Sequence, residues 1–341
     1  MAGTMWDGIV VRCNKDETGE VPRSVSSSSP DIISNGKVPL EDPSILTKSE
    51  NYGNAYECNL YEGVTNFLYV RGKNHTTNTL TGSWNLYYSP SNILLYPYLW
   101  EKNQLATSGG DKNPAFSIAA GKIGASEDCF TWKPDPPPSG QHYCMIAVAV
   151  TENHGNPVSG LNKITDLAEY LKTNANIAQR NTTFIFGNVP EFTDVVNYDQ
   201  GEEAAVVDIA AVFSNLPKGS SYTIACGKPV DGKTLIHTET NTTDTNFKYA
   251  WTDVNMPANW SSNFSVSVKF GSDWSGIPDK AHPTVQIRGE LVQHSNDRLY
   301  HLGRDAGFCP QKNMLRVDKL GKPVRIITVG TYQTACPDKH R

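Results

Sequence analysis

The stretch CGKPVDGKT, Cys226 to Thr234, admits two readings that lead to different folds. Gly227, then Gly232-Lys233-Thr234 at the right spacing, satisfies the pattern of a phosphate-binding P-loop. Such a loop works because a strand delivers a glycine-rich turn onto a helix N-terminus, whose free N–H groups hold the phosphates. The residues that follow, Leu235-Ile236-His237-Thr238-Glu239-Thr240-Asn241-Thr242-Thr243, are β-branched and threonine-heavy, with no apolar recurrence at i, i+3, i+4. Pro229 removes a backbone donor, and Asp231-Gly232 favours a tight two-residue hairpin turn. A Walker-B-like run, Ala204 to Asp208, precedes the motif, whereas the magnesium-binding carboxylate normally follows it. The stretch therefore predicts a β-hairpin and no nucleotide site.

Outward from this hairpin, the second half of the chain reads as strands separated by turn signals. The candidates are Ala204 to Phe213, Ser221 to Cys226, Lys233 to Thr240, Phe247 to Asp253, Asn263 to Phe270 and Pro283 to Gln293. In NFSVSVKF, Phe264, Val266, Val268 and Phe270 alternate with Ser265, Ser267 and Lys269, as in a strand with one wet face. Met314 to Val317, a turn over Asp318 to Pro323, and Val324 to Tyr332 read as a closing hairpin. Towards the N-terminus, further strands are expected at Asp31–Ile33, Phe67–Arg71, Ser83–Tyr88, His142–Val150 and Thr182–Phe186. Trp84, Leu86 and Tyr88 fall on one face by the two-residue period. One helix is expected, with Ile164, Leu167, Ala168 and Leu171 on its buried side, Asn162 as cap and Asp166 in the first turn. Residues 1–28 read as an arm, with the lone strand Gly8–Cys13 and a serine run, Ser26 to Ser29, as a flexible joint. The expected class is all-β: two immunoglobulin-like antiparallel β-sandwich domains, 29–188 and 189–341, with an N-terminal strand arm and a C-terminal hairpin.

The 341 residues carry a net charge of −5, 38% hydrophobic and 19% charged content, so Ser, Thr, Asn, Gly and Pro fill the difference. No basic cluster marks a nucleic-acid partner, and no run of about 18 apolar residues marks a transmembrane segment. The start, MAGTMWDGIVVRC, lacks the basic and long apolar regions of a signal peptide, so a cytoplasmic protein or one exported by a leaderless route is expected. Seven scattered cysteines, none in a C-x-x-C pair, argue against a zinc site and read as buried thiols.

The phrases SSPDII, FLYVRGKN, LYYSP, HYCMIAVAV and NIAQRN resemble the successive strands of bacterial immunoglobulin-like modules of the CARDB type. The resemblance covers about residues 29–188 and implies a sandwich fold; modules of this kind share no catalytic residues. The insertion from Ser91 to Glu127 departs from the type.

Local signals for chemistry are absent: there is no G-x-S-x-G elbow, no cysteine-protease signature and no H-E-x-x-H spacing. His142 and Cys144 share a strand face without the further ligands zinc requires, and Glu202-Glu203 reads as solvated charge. No catalytic residue, metal or cofactor is expected. Two stretches are candidates for partner binding. Ile9, Val10 and Val11 form a strand with no hairpin partner nearby, so they pair with a remote edge of this chain or of a neighbour. Tyr96, Tyr98 and Trp100 sit in a connection, SPSNILLYPYLWEKN. Exposed, it is a partner patch or a platform for carbohydrate; buried, it plugs one end of the sandwich. The expected function is that of a non-enzymatic bacterial interaction or assembly protein, forming a homo-oligomer or binding a protein partner through the arm and exposed strand edges. The alternative is a leaderless exported toxin or its receptor-binding subunit, in contact with a membrane.

Overall fold

The structure, a computed structural model, describes residues 3–54, 56, 60–137, 141–156, 160–182, 191–271, 283–305, 308–309 and 314–335, with the backbone alone at 308–309, 314–315 and 335. The first strands are β1 (Thr4–Met5), β2 (Ile9–Val10), β3 (Glu20–Val21), β4 (Ile32–Ser34), β5 (Asn66–Asn74) and β6 (Leu80–Pro90). Then come β7 (Ala106–Thr107), β8 (Ala115–Ile118), β9 (Ile123–Ala125), β10 (Phe130–Trp132), β11 (Tyr143–Thr151) and β12 (Ile177–Asn181). The second half holds β13 (Glu191–Asp199), β14 (Ala205–Ser214), β15 (Ser221–Cys226), β16 (Ile236–Glu239), β17 (Phe247–Met256) and β18 (Ser261–Lys269). It closes with β19 (Thr284–Gln293), β20 (Arg304–Asp305), β21 (Phe308–Cys309), β22 (Met314–Leu315) and β23 (Arg325–Ala335). The helices are α1 (Ser49–Tyr52) and α2 (Ile164–Thr173).

The deciding stretch is a hairpin. Asp231 and Gly232 both adopt positive φ, 49° and 70°, between a reciprocal pair of backbone bonds joining Val230 and Lys233, each 2.9 Å. Strands β15 and β16 then run antiparallel on either side, Ala225 opposite Ile236. This is the geometry in which both central residues must tolerate the left-handed region, hence Asp-Gly.

Each half of the chain is a β-sandwich of antiparallel sheets. In the first, the sheet β12-β11-β6-β8 faces a sheet centred on β5, to which β2, β4, β9 and β10 all pair. Trp84, Leu86, Met145, Ala147, Leu68, Val70 and Phe130 fill the space between, as the period-2 pattern requires, and Tyr88 packs against this core. In the second, β13-β18-β15-β16 faces β17-β14-β19-β23-β20. Phe264, Val266 and Val268 point inward, as their alternation with serine indicates.

Several expectations change in the fold. The turn over 318–323 forms, with the Asp318 carboxylate accepting from Leu320 and Lys322 N–H, but the strand beyond it becomes an interior member of its sheet, paired to β19 along its length. The serine run is not a joint: Ser27 and Ser29 are buried and bond along the outer edge of β12 through Asn181 N to Ser27 O, 2.9 Å, and Ser29 N to Gln179 O, 3.2 Å. Strand β13 carries no clear signal in the sequence, because Asp194 on its inward face breaks the apolar alternation. The strand expected at Thr182–Phe186 falls mostly outside the described residues; the chain is extended earlier, over β12.

The two sandwiches share one core. Tyr87, Cys144, Ile146 and Val148 lie on the outer face of the β11 sheet, and the same hydrophobic cluster continues through Ile93, Leu94, Tyr96 and Trp100 into the second sandwich. Helix α2 covers this face with Ile164, Leu167 and Ala168. Its cap is not Asn162. The Glu203 carboxylate, arriving from the second half of the chain, accepts from Thr165 N at 3.1 Å and Thr165 Oγ1 at 2.7 Å, satisfying orphan donors of the first turn. Glu203 is thus no solvated charge.

Candidate functional site

The residues expected to bind partners are placed in different cores. Ile9, Val10 and Val11 are buried, and β2 pairs with β5, Ile9 opposite Asn74 and Val10 opposite Lys73. The arm therefore takes the first of its two options, an edge of its own chain. Tyr96 and Trp100 are buried, Tyr96 donating to Gln200 O at 2.7 Å and Trp100 Nε1 to Leu95 O at 3.1 Å. Only Tyr98 remains accessible, at 39%, stacked on Tyr96. The connection is a plug, and it fills the junction between the sandwiches rather than one end of the first.

A second candidate is the polar cluster at that junction. His142 Nε2 lies 3.3 Å from Asp194 Oδ1, and Tyr332 donates to the same oxygen at 2.9 Å. Burial draws the His142 pKa down, but the bond to Asp194, its charge and the Thr182 carbonyl more than offset this and leave it raised. Cys144 adds a thiol on the same strand, so the set has the composition of a nucleophile, base and acid. The geometry differs: the thiol bonds Asn181 Oδ1 at 3.3 Å, and burial pushes it up to about 12, against the thiolate that nucleophilic chemistry requires. The cluster ties β11 of the first sandwich to β13 and β23 of the second.

Strand edges remain, since an unpaired edge invites another chain to add to it. Two long strands end sheets in the second sandwich, β13 with nine residues and β17 with ten. The C-terminal half of β13 is covered by the connection, through Asn197 N to Ser91 O and Ile93 N to Asn197 O. In the first sandwich the outer edge of β12 is covered by the serine run. Strand β17, by contrast, has β14 as its one ladder partner among the described residues.

Strand β17 lies beside the edge strand β16, and among the described residues neither has a ladder partner on its outer side. The His237 ring stacks on Tyr249 at 3.7 Å and 9°, and Tyr222 OH lies 3.2 Å from His237 Nε2. Burial, opposed by Glu239, lowers the His237 pKa, so the ring is neutral at neutral pH. Burial also raises Tyr222 to about 12. Trp251 stands edge-on to Tyr249, and Ile236 is 59% exposed. A bulge at Asp253, φ 54°, bends the far end of β17, leaving Phe247 to Trp251 as its regular part. The sequence named both strands but could not show which edges its own segments would cover.

Among the described residues no His, Cys, Asp or Glu group is placed to hold a metal ion, and no helix is long and apolar enough to cross a membrane. Cys13, Cys129, Cys144 and Cys226 are buried free thiols; the side chains of Cys58, Cys309 and Cys336 lie outside the described residues.

No family model matches the chain, and no curated protein does. Among solved structures, a transglutaminase from red sea bream is similar over 69% of this chain at 8% identity, with a TM-score of 0.23. This chain covers 28% of that one. The vicilin of Solanum melongena aligns with 80% of this chain and 90% of its own at 8% identity, with a TM-score of 0.14. At these scores neither likeness bears on what the chain does.

Proposed function

We propose that the chain is a non-enzymatic interaction protein of immunoglobulin-like bacterial type that associates, with itself or with a protein partner, by strand addition along the open flank of its second sandwich. The observation that carries this reading is the contrast between edges: the arm pairs with β5, the serine run covers β12 and the connection covers the C-terminal half of β13, while β17 from Phe247 to Trp251 has a ladder partner on one side among the described residues. Half-buried Tyr249 and Trp251 line that edge and exposed Ile236 stands on the neighbouring edge strand β16, the residue types that gain from being covered. The CARDB-like phrases of residues 29–188 support the bacterial, adhesive character. The arm supports assembly only indirectly, by sealing β5.

Light scattering across a concentration series tests the proposal. The native chain is expected to associate with rising concentration, and Ile236→Lys, which places a charge on the flank, to shift it towards monomer. A native monomer at high concentration, with no change in Ile236→Lys, would sink the reading. Deleting residues 1–25 is not an equivalent test, since it removes core side chains. Leakage of liposomes on mixing with the chain would instead favour the toxin reading.

A further inference from the structure

A second feature of the molecule lies away from the flank, where the arm, the end of α2 and the outer face of the β19 sheet meet. They enclose a cavity of about 280 Å³. Lys172 from the last turn of α2, Arg288 from β19 and Arg304 from β20 line it. Neutral donors alternate with them: Asn14, Ser24 and Ser26 from the arm, and Gln286 and Thr328 from the sheet.

The charges do not balance. Glu290 is the carboxylate nearby, fully buried and contacted by three cations, Lys248 at 2.8 Å, Arg304 at 3.4 Å and Arg288 at 4.0 Å, while Lys172 has no carboxylate partner among the described residues. Arg288 Nε is held instead by the neutral Gln286 Oε1 at 2.5 Å, which fixes the guanidinium without neutralising it. The carbonyls that end α2 would repel an anion, and Arg23 takes two of them, donating from its backbone N–H to Lys172 O at 2.9 Å and from its guanidinium to Asn174 O at 2.9 Å. Titration follows the same excess. Burial and then the Arg304 charge pull the Lys172 ammonium down; burial, countered by Glu290 and reinforced by Arg304, lowers Arg288. Two partly buried cations and the exposed Arg304, with neutral donors between, form the arrangement that binds an oxyanion through charge-assisted and forked bonds.

We propose that this cavity is a binding site for a phosphoryl group, held by Lys172, Arg288 and Arg304 and oriented by the arm hydroxyls Ser24 and Ser26. The volume exceeds that of a phosphate ion, so the group arrives either as inorganic phosphate or on a small phosphomonoester. Bound, it ties the arm and α2 to the second sandwich.

Isothermal titration and thermal melting of the full chain test it, with inorganic phosphate and ribose 5-phosphate as probes and sodium chloride at matched ionic strength as control. Saturable one-to-one binding with a rise in Tm is expected from one probe or both, and the tighter of the two identifies the source. Arg288→Gln and, separately, the exposed Arg304→Gln are each expected to weaken binding about tenfold or more, since each removes a charge-assisted bond. Arg298→Gln, on the far side of α2, is expected to leave it unchanged. The proposal fails if neither probe raises Tm beyond the chloride control, or if Arg304→Gln, which folds whatever the fate of Arg288→Gln, binds as tightly as the native chain.

Discussion

Gly330→Ala is the substitution that most directly probes the joining of the sandwiches. Gly330 lies on β23 opposite Gly289 on β19, and the pair forms a notch in which the connection sits. A Cβ on Gly330 would stand 1.7 Å from the carbonyl oxygen of Ile93 and 2.7 Å from its carbon. That oxygen is backbone, and its segment is anchored by Ile93 N to Asn197 O at 2.9 Å and Leu94 N to Asn92 Oδ1 at 3.1 Å. Relief requires the connection or the strand to move by more than an ångström, within a core that extends through both sandwiches. Overpacking of this kind costs about 1–3 kcal/mol and sometimes more. Against it stands a gain of about 0.4–1 kcal/mol from the less flexible unfolded chain. A net loss of about 1–2 kcal/mol is expected. Gly289→Ala provides the control, because its Cβ meets side-chain atoms alone, Leu94 Cδ2 at 3.1 Å and Ile93 Cγ2 at 3.2 Å, which can give way, and Tyr198 Cε2 at an ordinary 3.8 Å. Urea denaturation followed by tryptophan fluorescence reads both, with Trp100 as a reporter inside the junction. Equal midpoints for Gly330→Ala and the native chain would refute the seating of the connection against β23.

Two further outcomes follow from titration. His142 is raised above its ordinary 6.5 in the folded chain, so its stabilisation is complete below that value and is lost as pH rises through the folded pKa. His142→Gln is expected to destabilise at pH 6 and to matter progressively less towards pH 9; parallel urea midpoints for both proteins across this range would contradict the pairing with Asp194. Asp208 is pushed up by burial to about 6 despite its ion pair with Arg316, so it withdraws stability as pH rises from about 4 to about 6. Arg316→Met strands that carboxylate and is expected to cost about 3 kcal/mol at pH 8 and distinctly less at pH 5, where a proton neutralises it; a penalty independent of pH would exclude this cause.

The sequence by itself determined the local structure wherever one residue pair or one period suffices. Asp231-Gly232 set the hairpin because few residues accept two consecutive left-handed conformations, and Phe264, Val266 and Val268 set an inward face because side chains alternate along any strand. The buried side of α2 followed from its spacing in the same way. The cap of that helix did not, since Glu203 is far away in the chain, nor did the balance of charge around Glu290, which draws cations from three strands. Whether Ile9 to Val11 and Tyr96 to Trp100 were surface or core was likewise open, because an apolar segment looks the same in either place. Only the tertiary structure decides which edges and faces the chain covers with its own remote segments, for burial is a property of what arrives from elsewhere.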